Sequence, residues 1–151
     1  MSNIKLKKIF KTVCIASDHA GFKLKEEIKN HLIDKRISIF DIGPFNSESV
    51  DYPDFAKKLA LRIKSKKSEV GILVCGSGTG MAISANKIKT IRAAVCYNLK
   101  STLLSRQHNN ANIIALGARL TKKKISLKLV EVFLSTKFEG GRHLKRVRKI
   151  N

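Results

Sequence analysis

The 151-residue sequence has no tryptophan, two tyrosines and seven phenylalanines, so aromatic side chains make up only 6% of it. With no interleaving of aromatic and basic positions, that scarcity reads against single-strand nucleic-acid binding by base stacking. No internal repeat, Pro- or Gly-rich linker or low-complexity tract breaks the chain, so one compact domain is expected over residues 1–151. Cysteine is sparse: Cys14, Cys75 and Cys96 each sit in or at the end of an apolar run. An odd number without close pairing argues against a disulfide framework and agrees with a reducing compartment. There is no C-x-x-C or H-E-x-x-H spacing, so no dedicated metal site is expected. No apolar stretch reaches the roughly 18 residues a membrane span requires. The basic start, residues 1–11, forms no apolar signal core because Lys11 and Thr12 interrupt it, so a cytoplasmic location is expected.

Acidic residues are also few: 11 Asp and Glu stand against 31 Lys and Arg, a formal net charge of +20. The cations fall in several stretches (5–11, 57–67, 122–128 and 142–149) rather than one block. That spread reads as a lysine-rich bias on solvated helix faces, which would still attract anionic metabolites. A basic nucleic-acid-binding module is the alternative from another class. Its affinity would fall steeply with salt and would not need Cys75.

What the sequence does contain is an alternation of apolar runs and amphipathic stretches. Strands are expected at 13–17, 37–42, 70–75, 93–96 and 113–116. Helices are expected at 22–35, where Leu24, Ile28 and Leu32 recur at four-residue spacing, and at 51–66, opened by Pro53. Further helices are expected from Met81, over 100–107, around Ile125–Phe133, and finally as a basic helix over 142–150. Repeated strand–helix units imply a three-layer, Rossmann-like α/β sandwich with a five-stranded parallel sheet. Ligands gather at the carboxyl ends of such strands, which selects Asp18-His19, Gly43 onward, Cys75–Gly80 and Gly117–Arg119.

The densest signal is Cys75-Gly76-Ser77-Gly78-Thr79-Gly80-Met81, after the apolar run Val70–Val74. Its glycines, at 76, 78 and 80, follow neither the G-x-G-x-x-G dinucleotide pattern nor a P-loop. A tight turn of exposed amides opening a helix can bind an anion or a developing oxyanion, and lowers the pKa of a thiol at its rim. Cys75 is therefore either a catalytic thiolate or a buried strand residue. Asp18-His19 can shuttle protons or grip a hydroxyl, while Asp18 could instead cap the next helix. His108-Asn109-Asn110-Ala111-Asn112 offers a polar ligand site or ordinary asparagine capping. Arg142 and Arg146, four apart on one helix face, suit a phosphate or belong to a basic tail. His31, on the outer face of the first helix, is expected to be solvated.

Taken together, Ser17–Gly21, Asp51-Tyr52-Pro53-Asp54, Cys75–Met81, His108–Asn112, Gly117-Ala118-Arg119 and Gly141-Arg142-His143 resemble the type B ribose-5-phosphate isomerases. Allose-6-phosphate and galactose-6-phosphate isomerases are in the same family. The resemblance runs in order over nearly the whole chain after Lys11 and leaves residues 1–11 outside it as a basic extension.

It implies a metal-independent, cofactor-free conversion of ribose 5-phosphate to ribulose 5-phosphate through an enediolate, in the pentose phosphate pathway. Cys75 resembles the base, since the position where some members carry a glutamate is Met81 here. Ser77 resembles the hydroxyl that helps move protons between O1 and O2. The amides of Gly76, Ser77, Gly78, Thr79 and Gly80 would hold the enediolate oxygens, roughly 3–4 kcal/mol per good donor. His108 resembles the ring-opening acid, with Asp18 and Tyr52 near the sugar and Asn109 binding it. His19, Arg119, Arg142 and Arg146 resemble the phosphate grip. The resemblance also implies a homodimer, or a dimer of dimers, with the site at the interface. An allose-6-phosphate or other hexose-6-phosphate isomerase is the alternative within the class, decided by side chains such as Tyr52, Ser47 and Asn98.

Overall fold

The computed structural model describes residues 6, 7 and 9–150. Five strands form one sheet: β1 (Val13–Ser17), β2 (Ile39–Gly43), β3 (Val70–Cys75), β4 (Ala93–Val95) and β5 (Ile113–Gly117). Their order is β2-β1-β3-β5-β4, and every neighbouring pair is parallel. Every residue of β1, β3 and β5 is buried. Helices cover both faces of these inner strands, which is why they read as unbroken apolar runs rather than as an alternation.

The helices are α1 (Phe22–Asp34), α2 (Tyr52–Lys64), α3 (Thr79–Asn86), α4 (Leu99–Gln107), α5 (Lys123–Ser135) and α6 (Arg142–Val147). Side chains alternate across each strand and so feed two cores. Val13, Ile15, Ile72, Val74, Ile114 and Leu116 pack with Leu24, Ile28 and Leu32 of α1 and Leu129 and Phe133 of α5. Cys14, Ala16, Leu73, Cys75, Ile113 and Ala115 face Ala56, Leu59 and Ile63 of α2 and Met81 and Ala85 of α3. This is the expected three-layer sandwich with a basic C-terminal helix. No helix among the described residues is long and apolar enough to cross a membrane.

The elements differ from expectation at their ends. The second strand begins at Ile39 rather than 37, because Arg36 adopts φ 61° and the Ile37 amide still bonds Leu32 O as the chain leaves α1. The last helix ends at Val147 rather than 150, and the fourth strand at Val95 rather than 96.

Two tertiary features lay beyond the periodicity. Lys25 falls on the buried stripe of α1 and is fully buried. Its ammonium donates to both Asp41 carboxylate oxygens, at 2.8 and 2.7 Å, and to Glu26 at 2.9 Å. Lys29 joins Asp41 at 2.9 Å. His31 is not simply solvated: its Nε2 lies 2.8 Å from Glu131, tying α1 to α5. Part of the N-terminal extension is also docked, with Leu6 and Phe10 against the core and the Arg106 guanidinium 4.9 Å from the centre of the Phe10 ring. Residues 1–5 and 8 of that extension lie outside the described residues.

Candidate active site

From β1 the chain crosses to β2 on one side and later returns to β3 on the other. The carboxyl ends of β1 and β3 therefore flank the point where the winding changes direction. Cys75 ends β3 there, and its buried Sγ accepts a hydrogen bond from the Gly78 amide at 3.1 Å. Gly78 makes this turn with φ +81°, and a Cβ there would lie 3.0 Å from the Leu116 backbone. α3 begins at the next residue, so the amides of its first turn point toward the thiol end of β3. An N–H donor and a helix N-terminus both turn positive potential toward the sulfur.

Around this turn the other strand ends converge. The Asp18 amide bonds Val74 O at 3.1 Å, and its Oδ1 accepts from Gly21 N at 2.9 Å, so one carboxylate oxygen does serve the turn into α1. His19 Nδ1 accepts from the Val50 amide at 3.3 Å, which joins it to the loop that delivers exposed Tyr52. Tyr52 lies against Gly80, where an added Cβ would come within 2.7 Å of its ring. Arg119 follows β5: its amide bonds Gly76 O at 3.0 Å, and its guanidinium lies over Gly76. Ser77 Oγ accepts from Thr79 N at 3.3 Å, and Ser77 O accepts from the Tyr97 hydroxyl at 3.0 Å. Gly80→Ala is expected to push the Tyr52 ring aside. A displacement on the order of 1 Å costs about 100-fold in kcat/KM wherever the side chain positions a substrate.

The remaining residues gather in a second group. His108 caps the C-terminus of α4 and is half-buried, and Asn109 beside it is exposed. The His108 imidazole stacks on that of His143, with centroids 4.1 Å apart and planes 11° from parallel. Glu139 stands between them, its Oε2 3.9 Å from His108 Nε2 and 3.7 Å from His143 Nε2. Its amide bonds Gln107 O at 3.1 Å, pinning this segment to the end of α4. Burial, and then the charges of His108 and Arg142, push the His143 imidazole below its ordinary pKa. Arg142 and Arg146 are exposed on the six-residue α6.

Arg106, buried below this turn, donates to Asn110 Oδ1 at 3.0 Å and to the carbonyls of Ala111 and Thr136 at 2.5 and 3.1 Å. Burial and the nearby Arg92 charge bring its pKa down to about 10. Two of the three asparagines therefore have structural work. Asn110 holds Arg106 at φ 47°, and Asn112 Oδ1 accepts from Arg92 N at 2.8 Å. Asn98 likewise caps α4 through Ser101 N, so its side-chain oxygen is already engaged.

Thus Asp18, His19, Tyr52, residues 75–80 and Arg119 form one group, and His108, Arg142 and His143 form another around Glu139. Among the described residues no hydrogen bond or ion pair joins the two. Sequence reasoning gave His143 no role of its own and missed Glu139 and Tyr97. The four-residue spacing of Glu139 and His143 was the one available signal, and it carries no meaning until α4 brings His108 beside them.

Residues 13–150 match the family model for Ribose/Galactose Isomerase. The chain belongs to that family. Ribose-5-phosphate isomerase B of Escherichia coli is 41% identical over 140 residues, which are 93% of this chain and 94% of that protein. A ribose 5-phosphate isomerase from Thermotoga maritima superposes with a TM-score of 0.90 at 50% identity, covering 92% of this chain and 96% of that one. The Mycoplasma genitalium ribose-5-phosphate isomerase B, solved with bound ribulose-5-phosphate, superposes with a TM-score of 0.88 at 42% identity. It covers 92% of this chain and 93% of that one. Family membership thus agrees with the parallel sheet and with the placing of the Cys75 turn at its switch point.

Proposed function

We propose that this family member interconverts ribose 5-phosphate and ribulose 5-phosphate through an enediolate, with Cys75 as the base. The observation that carries this reading is the Cys75 thiol, held 3.1 Å from the Gly78 amide at the mouth of an amide-lined turn. Aldose–ketose isomerisation needs a group that takes the C2 proton and returns it to C1. It also needs donors that hold the oxygens while they carry negative charge. The thiolate supplies the first, and the backbone of Gly76–Gly80 the second. Ser77 carries a proton from O2 to O1. No step calls for a metal or an organic cofactor.

The sugar must first open. His108 gives a proton to the ring oxygen, while Asp18 and Tyr52 hold hydroxyls and Asn109 binds the chain of the sugar. His19, Arg119, Arg142 and Arg146 grip the phosphate, for which guanidinium forks are well matched. Among the described residues no hydrogen bond or ion pair joins the two groups, so a homodimer would complete each site. In that arrangement the His108 group of one copy faces the Cys75 turn of the other. Exposed Ile83, Tyr97, Leu99 and Leu103 on and around α3 and α4 suit such an interface. Two such pairs would give a tetramer.

Arg142→Ala is expected to raise KM for ribose 5-phosphate by about 10- to 100-fold with a smaller change in kcat, because a phosphate contact is made in ground and transition states alike. Initial-rate kinetics over a substrate series check this. The reading as a whole is tested by incubating the purified protein with ribose 5-phosphate in EDTA and following ribulose 5-phosphate. Turnover that survives the chelator supports it. A folded protein that leaves ribose 5-phosphate untouched but converts allose 6-phosphate would overturn the pentose assignment.

A further inference from the structure

The cluster at His108, Glu139 and His143 is more than the isomerisation requires. We propose that these three side chains form a binding site for a late first-row divalent cation such as zinc. By taking the His108 Nε2, the ion would switch the enzyme off reversibly. The inhibitory part rests on the proposed role of His108 as ring-opening acid; the binding part does not.

Two imidazoles and one carboxylate are a donor set suited to zinc and its neighbours rather than to magnesium or calcium, which favour oxygen ligands. Their donor atoms all lie within 4.8 Å of one another. The carboxylate stands 3.9 and 3.7 Å from the two Nε2 atoms. Tetrahedral zinc, with bonds of about 2.0–2.2 Å, brings such donors to about 3.3–3.5 Å apart, so the two carboxylate–imidazole distances need shorten by only a few tenths of an ångström. The frame is already held without an ion. The Glu139 amide is tied to Gln107 O at 3.1 Å, directly before His108, and His143 follows Glu139 at four-residue spacing.

One movement is required. Rings only 11° from parallel cannot both aim a lone pair at one point, so His108, the more exposed of the two, must turn out of the stack. Arg142 and Arg146 oppose a cation here, which points to a reversible, micromolar site rather than a permanent one. A zinc-bound Nε2 cannot also carry the proton that ring opening consumes, so metal and turnover exclude each other.

The test is calorimetric titration of zinc chloride into the metal-free full chain, Glu139→Gln and Cys75→Ala, beside turnover of ribose 5-phosphate at rising zinc. One zinc per chain is expected for wild type. Affinity should fall about tenfold or more in Glu139→Gln and stay unchanged in Cys75→Ala. Measured against its own zinc-free rate, Glu139→Gln should resist zinc that stops the wild type. EDTA should restore the wild type. Absence of binding, equal affinity in Glu139→Gln, or binding lost with Cys75 would each overturn the proposal. Binding as described in a protein with no isomerase activity under any condition would leave the metal site standing and remove the isomerase reading.

Discussion

Cys75→Ala is expected to lower turnover of ribose 5-phosphate by about 10³-fold, within the 10²–10⁴ that a positioned general base contributes. The fold should survive. Cys75 lies at the end of β3, where the smaller side chain removes one sulfur from a buried but peripheral position and leaves the strand pairing with Gly117 intact. The Gly78 amide loses its acceptor, a cost of about 1–3 kcal/mol for a buried donor, lessened where water can enter the turn. Circular dichroism and melting temperature would report the fold, and a coupled ribulose assay the rate. Full activity in this variant would remove the thiol from the mechanism. Iodoacetamide should act in the same direction on the wild type, and ribose 5-phosphate should protect against it, because reagent and substrate compete for one sulfur.

Asp41→Asn is expected to destabilise the chain by about 2–4 kcal/mol, the range for breaking a buried ion pair reduced somewhat for the solvent that reaches its outer members. Lys25 is fully buried, and Asp41 supplies two of the three carboxylate bonds to its ammonium. Urea unfolding measures the loss. The double variant Lys25→Met with Asp41→Leu should lose less than Asp41→Asn alone, because no charge is left stranded among Phe22 and Phe45. Equal losses would mean that water already reaches the ammonium.

The pH dependence has a definite sign. Burial alone would raise the Asp41 pKa, but hydrogen bonds from Lys25 and Lys29 outweigh it and hold the carboxyl below its usual value. Glu26 is lowered in the same way by the same two lysines. A depressed folded-state pKa gives stability that is fully present above the unfolded value of about 4 and is lost as the pH falls through the folded one. Wild type should therefore lose stability below about pH 4, and Asp41→Asn should show a flatter acid limb.

The parallel sheet was legible because burial on both faces forces continuous apolar runs, as at Val70–Cys75 and Ile113–Gly117. The Cys75 turn was legible because glycine at φ +81° and a following helix leave a compositional mark. Asp18, Tyr52 and Arg119 could be nominated from their places just after strands or at a helix start, and the structure brings all three to that turn. By contrast, nothing in the string separates Asn109 from Asn110 and Asn112. Only packing shows that the latter two hold Arg106 and Arg92.

The chain's own order of residues determined its family, its layers and the strand ends that meet at the switch point of the sheet, because periodicity and glycine placement are local properties written along the backbone. Tertiary structure alone decided that Lys25 would sit buried on Asp41, that His31 would meet Glu131, and that His108 would stack on His143 beside Glu139. Each of those contacts joins side chains from segments far apart in sequence, and the free energy of such a pairing depends on burial and distance, which no local pattern records.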